Sequence, residues 1–118
     1  MILIKHPKNW GLQSRIIEKY ATKALKFFGY DEKDVELSII FVGRKRAKDL
    51  NIKYRQKNYI PQVLGFPMSK VVDVDGLIHL GDIVICTQKL KYESVFLNKN
   101  IDDVLDEWMV HGVENLVK

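Results

Sequence analysis

Only one cysteine, Cys86, is present, so no disulfide can close within the chain and its core cannot depend on one. Proline is scarce, at 3 of 118 residues, and no Pro/Gly/Ser-rich stretch marks a linker, which predicts one domain over residues 1–118. No apolar run approaches the roughly 18–20 residues that a membrane span needs, and none is expected to meet a membrane. The opening MILIKHPKNW lacks the basic stretch followed by an apolar one that marks a secretory leader. A cytoplasmic location is the expectation. A phosphate-binding Gly-rich loop, a dinucleotide fingerprint and a serine nucleophile elbow are also missing.

What is present is a globular composition, 47% hydrophobic and 29% charged, with a net charge of +4 that is unevenly spread. Between Gly43 and Lys57 stand Arg44, Lys45, Arg46, Lys48, Lys53, Arg55 and Lys57, opposed only by Asp49. Such density is the electrostatic footprint of a protein that meets a polyanion such as RNA, or else a solvated helix face on a basic protein. Tyr54 and Tyr59 interleave with these cations. They suit base stacking on single-stranded RNA, although Tyr54 at helical spacing from Leu50 also fits a core boundary. The tail is opposite in sign, with Asp102, Asp103, Asp106, Glu107 and Glu114 against Lys118, a face that could dock on a protein partner.

Apolar periodicity orders the chain. Ile2–Ile4 reads as a short strand. Ile16, Ile17, Tyr20, Ala21, Ala24, Phe27 and Phe28 recur every three or four residues, predicting a helix capped by Ser14 and ended by Gly29. VELSIIFV (35–42) is β-branched and bounded by turn residues, hence a strand. RKRAKDLNIKYR (44–55) has neither Gly nor Pro and predicts a basic helix with Ala47, Leu50 and Tyr54 on one side. Residues 62–68 predict an edge strand broken by Gly65 and Pro67, and 71–86 a hairpin turning at Asp75-Gly76 with a buried run at Ile83–Ile85. Helices follow at 87–96 and from Ile101, whose first turn carries Asp102 and Asp103 where carboxylates favour the helix dipole. The class is α/β (α+β): a small central mixed sheet of about four strands surrounded by helices.

Three histidines, His6, His79 and His111, limit any metal site. On a helix His111 shares a face with residue 115, where a second ligand would sit, but that residue is Asn115, a poor zinc ligand. From the residues alone, His111 is either a ligand awaiting partners from elsewhere or a histidine bonded to a carbonyl or to water. Cys86 ends an apolar strand and reads as a small buried thiol.

Four segments in order resemble one family. LNIKYR (50–55) is similar to the L-N-x-x-Y-R signature of the YbeY family, rRNA maturation factors described as metal-dependent endoribonucleases. VLGFP (63–67) resembles its V-L-S-F-P strand, LGDIVIC (80–86) its L-G-D-I-V-I-S, and VHGV (110–113) the opening of its metal motif, H-G-x-L-H-L-x-G-x-D-H. The resemblance implies zinc held by three histidines, with His111 at the first ligand position, Asn115 at the second and the third after Lys118. It thus places Lys118 within the metal-motif helix. It further implies Arg55 as the arginine of the active centre and rRNA or a ribosomal particle as partner, with no DNA expected; RNA contacts by Arg44, Lys45, Arg46, Lys48, Lys53 and Lys57 are the expectation from their charge density. The chain departs from the pattern at Gln62, Gly65, Cys86, Glu114 and Asn115: polar cleft positions change while packing positions persist. That combination is expected of a retained fold with an incomplete zinc site. The implied readings are endoribonuclease action on single-stranded rRNA, or binding of RNA or ribosome through helix 44–57 without catalysis.

Overall fold

The structure, a computed structural model, describes residues 1–7 and 12–118. In chain order it forms β1 (Ile2–Lys5), α1 (Ser14–Phe27), a 3-10 turn (Glu32–Asp34), β2 (Val35–Val42), α2 (Arg44–Arg55), β3 (Val63–Pro67), β4 (Ile78–Cys86), α3 (Thr87–Phe96) and α4 (Ile101–Val117). The sheet order is β1-β2-β4-β3, with β1 and β4 parallel to β2 and β3 antiparallel to β4. This is the α/β class expected, with a four-stranded mixed sheet and helices on both faces.

Alternation along β2 divides the core. Val35, Leu37, Ile39 and Phe41 enter the larger cluster, packed with Ile17, Ala21, Ala24 and Leu25 of α1 and with Val104, Leu105, Trp108, Met109, Val113 and Leu116 of α4. Val42 enters the smaller cluster on the other face, where α2 contributes Ala47 and, at its border, Leu50. In β4 strict alternation fails. Leu80 and Ile83, three residues apart, both enter the larger cluster. The cause is a bulge: Glu36 pairs with His79 but Leu37 with Gly81, so Leu80 is the extra residue. Gly81 sits at φ 127°, and a Cβ there would lie 2.1 Å from the carbonyl oxygen of Phe66 on β3. Only glycine meets both demands. Beyond the bulge Val84 and Cys86 join the α2-side cluster while Ile83 and Ile85 join the other.

Helix α4 comes down on the sheet at two close approaches. A Cβ on Gly112 would meet Ile83 Cγ2 at 2.8 Å, and one on Gly65 would meet Asn115 Cβ at 2.7 Å. The α4 backbone at Gly112 therefore lies directly against the Ile83 side chain of β4, and the β3 backbone at Gly65 directly against Asn115.

Some local expectations shift. Ser14 is the first helical residue and Gln13 precedes it, and no side chain caps α1. The Ser14 hydroxyl instead approaches His6 Nε2 (3.5 Å). The buried stripe of α1 is Ile17, Ala21, Ala24 and Leu25, while Phe27 falls off the stripe and is 75% exposed. The α2 face buries Asn51, not Tyr54. The proposed hairpin is a single Val72–Ile78 bridge closed by a tight turn over 73–77, and the buried run belongs to a nine-residue strand.

Gly81→Ala should cost about 2–4 kcal/mol, because it adds both a disfavoured backbone conformation and a clash with β3. Urea unfolding measures this; an unchanged midpoint would contradict the role given to the bulge.

Candidate nucleic-acid interface and metal positions

Helix α2 leaves the C-terminal end of β2, and α3 leaves that of β4, its neighbour in the sheet. The two helices depart to opposite faces, since Ala47 of α2 packs in the smaller cluster and Leu90 of α3 in the larger. The crevice at such a point is where open α/β sheets present ligands. Here it is lined by Gly43, Arg44, Lys45, Lys48, Ile60 and Gln88, with a volume of about 570 Å³. Gln88 spans it, its Oε1 accepting from the Arg44 backbone N–H at 2.8 Å.

Arg44, Lys45, Arg46, Lys48, Lys53, Arg55 and Lys57 are all exposed, and none forms an ion pair among the described residues. The first turn of α2 has no acidic residue, so three cations face the positive end of its dipole, which is locally unfavourable. An arriving anion would relieve that repulsion. Arg55 lies near the other end of α2. Its Nη1 donates to Asn51 Oδ1 (3.5 Å), and Asn51, fully buried, donates from Nδ2 to the Tyr59 carbonyl (3.0 Å). Asn51 thus anchors both the arginine and the segment after α2. The Lys57 backbone N–H also bonds the Asn51 carbonyl (3.3 Å). LNIKYR accordingly includes a structural clamp at its second position, a role that sequence reasoning did not give to Asn51.

His111 lies elsewhere. It is exposed on α4, in a groove shared with α1 and lined by Lys23, Lys26, Phe27, Asp106, Glu107 and Val110. Because α2 and α4 pack on opposite faces of the sheet, Arg55 and His111 belong to different layers. One turn before His111, Glu107 is paired with Lys99 (3.2 Å); one turn after it stands exposed Asn115. Zinc asks for three or four ligands at about 2.0–2.3 Å. No group of three His, Cys, Asp or Glu ligands among the described residues includes His111, and two ammonium groups line its groove. Among the described residues, His111 therefore has no second and third ligand of these types beside it.

A different set does converge. Asp73, Asp75 and His79 place one ligand atom each within 4.8 Å of one another, a histidine-carboxylate set able to hold a divalent cation. The same set is already satisfied by a proton. His79 Nε2 donates to Asp75 Oδ2 (2.8 Å) and lies 3.8 Å from Asp73, while Nδ1 faces Glu36 on β2 at 3.3 Å. The Asp75 hydrogen bond is the largest influence and raises the His79 pKa above its ordinary value; burial, next in size, opposes it, and the hydrogen bond to Glu36 adds to the rise. His79 thereby ties the turn after β3 to β2. Sequence reasoning placed this histidine in a hairpin but could not see its three carboxylates, which come from two elements.

The class defined by these observations is a mixed α/β fold whose best-developed surface is a cationic helix. A sequence model of the family described as Endoribonuclease YbeY matches residues 5–117, and the chain belongs to this family. It is 36% identical over 81 residues to an Endoribonuclease YbeY of Thermodesulfovibrio yellowstonii, covering 69% of this chain and 50% of that protein. It is 33% identical over 87 residues to that of Ruthia magnifica, covering 74% and 59%. With the Mycoplasma capricolum protein it shares 31% identity over 99% of this chain and 75% of that one. The solution structure of TM1509 from Thermotoga maritima shares the fold, with a TM-score of 0.63 at 22% identity over all of this chain and 73% of that one. The chain thus spans about half the length of the first of these relatives. No helix among the described residues is long and apolar enough to cross a membrane.

The proton-held clamp is testable. A histidine whose folded pKa exceeds its unfolded value of about 6.5 binds more protons in the folded state. Its contribution is therefore complete below that value and lost as pH rises through the folded one. An NMR titration should place the His79 midpoint above that of a free histidine, and Asp75→Asn should lower it. A midpoint at the ordinary value in both proteins would contradict the clamp.

Proposed function

We propose that this chain is an RNA-binding member of the YbeY family that engages single-stranded rRNA, free or in a ribosomal particle, through the cationic face of α2. The supporting observation is the row of exposed, unpaired cations, with three of them in a first helical turn where they cost stability. Arg44, Lys45 and Lys48 meet phosphates at the crevice between α2 and α3. Arg46, Lys53 and Lys57 continue the track, and Arg55, held by Asn51, offers a planar guanidinium for bidentate phosphate contact. In an endoribonuclease that same guanidinium would stabilise charge developing on phosphorus. Metal chemistry centred on His111 is not part of the proposal, since no group of three metal ligands includes it among the described residues. The acidic face of α4 is the weaker alternative as a partner surface, because Asp106 is already paired with Lys23 (2.9 Å) and Glu107 with Lys99.

Fluorescence anisotropy with a labelled oligouridylate tests the proposal. Binding should weaken linearly on a log-log salt plot, with a slope near −3 for about four phosphate contacts on a single strand. Replacing Arg44, Lys45 and Arg46 together by Gln should weaken binding at least about tenfold and flatten the slope by about 2. Affinity indifferent to these changes would defeat the α2 interface.

A further inference from the structure

Helix α2 covers only part of its face of the sheet. Leu64, Val84 and Cys86 are buried beneath it, but Ile40, Phe66 and Asp82 are only half-buried, and toward β1 Leu3 and Lys5 are exposed. The uncovered part is a cleft of about 300 Å³. Its floor is Ile40, Val42, Phe66, Asp82 and Val84, and its wall is Arg46, Leu50 and Tyr54, which succeed one another every four residues along α2.

Three features of this cleft point to a ligand. Asp82 forms no side-chain hydrogen bond or ion pair among the described residues, although it is half-buried between apolar neighbours. A carboxylate so placed ordinarily has a donor. Arg46 on the wall is equally without an ion-pair partner. Tyr54 and Phe66 meet edge to face at 5.3 Å, with Tyr54 54% exposed, so ring surface is open to the cleft. An open sheet face with aromatic rings beside a cationic helix is a stacking platform for unpaired bases.

We propose that this cleft reads one guanine of the bound single strand. The reading rests on the RNA-binding function proposed above and adds a base-specific site to it. A carboxylate only accepts hydrogen bonds. Among the four RNA bases, guanine alone presents two adjacent donors, N1–H and the N2 amine, on its pairing edge, and both can be accepted by the two oxygens of Asp82. Adenine would set its N1 lone pair against the carboxylate. The purine ring lies against Phe66 and Tyr54, and Arg46 holds the phosphate of the same nucleotide, offsetting the repulsion between that phosphate and Asp82.

The test uses eleven-residue oligouridylates whose central position is guanosine, inosine or adenosine, titrated against the whole chain. Guanosine should bind about tenfold tighter than adenosine, the discrimination of one bidentate base contact. Inosine, which lacks the N2 amine, should fall between them. In Asp82→Asn the guanosine-to-adenosine ratio should fall to near one. The inosine comparison needs no variant, so it stands even if Asp82→Asn folds poorly. Absence of salt-dependent binding to every oligonucleotide would defeat the proposed RNA-binding function itself. Salt-dependent binding without preference for guanosine, or a preference that survives in Asp82→Asn, would overturn the guanine site alone and leave Asp82 to a cationic group of a protein partner.

Discussion

The single extra residue in β4 is the constraint on which the layering of this fold depends. With Leu80 bulged and Gly81 at a backbone angle open to glycine, the strand changes phase at its middle. Its early part gives Leu80 to the core beneath α1 and α4. Its later part gives Ile83 and Ile85 to that same core and turns Asp82, Val84 and Cys86 toward α2. A strand without the bulge would put either Leu80 or the pair Ile83 and Ile85 on the wrong side, since a one-residue slip exchanges the faces. The Leu-Gly-Asp triplet is thus a geometric device: the leucine fills, the glycine permits, and the aspartate is presented.

The second constraint is the seat of α4. Gly112 lets the helix touch Ile83, and Gly65 lets it touch β3 at Asn115. Two of the departures from the YbeY pattern, Gly65 and Asn115, therefore meet each other in space. At this docking distance a side chain at 65 would collide with the Asn115 Cβ, so the close seat of α4 in this chain and the glycine at 65 belong together. Another departure, Gln62, has found a local partner, its Nε2 donating to Glu93 Oε1 (3.2 Å). Among the described residues, no group of three metal-ligating side chains includes His111.

Much of this was legible in the residues. The limits of β2, α2 and α3 follow from β-branched runs, from the absence of breakers and from the turn residues between them. The class of the sheet follows from the alternation of elements, whereas its strand order, β1-β2-β4-β3, does not. What was hidden depends on long-range placement. Phe27 fits a helical spacing yet lies beside the stripe, which Ile17, Ala21, Ala24 and Leu25 form. Asn51 is polar and was passed over, but its burial is compensated by bonds to Tyr59 and Arg55. The phase of Asp82 could not be read without knowing that Leu80 bulges. His79 gained its significance only when Glu36, distant in sequence, became its neighbour across the sheet. On the site residues themselves, the seven cations from Arg44 to Lys57 are each exposed, whereas α2, which carries Arg55, and α4, which carries His111, pack on opposite faces of the sheet.

The proposed nucleic-acid binding does not pass through a zinc centre at His111. The most direct measurement is RNA affinity by anisotropy in excess EDTA and again with one equivalent of zinc, for the native chain and for His111→Ala. One affinity, the same within error in all four conditions, is the result predicted. A zinc-dependent gain that disappears in His111→Ala would contradict it, and would show that ligands gather around that histidine after all.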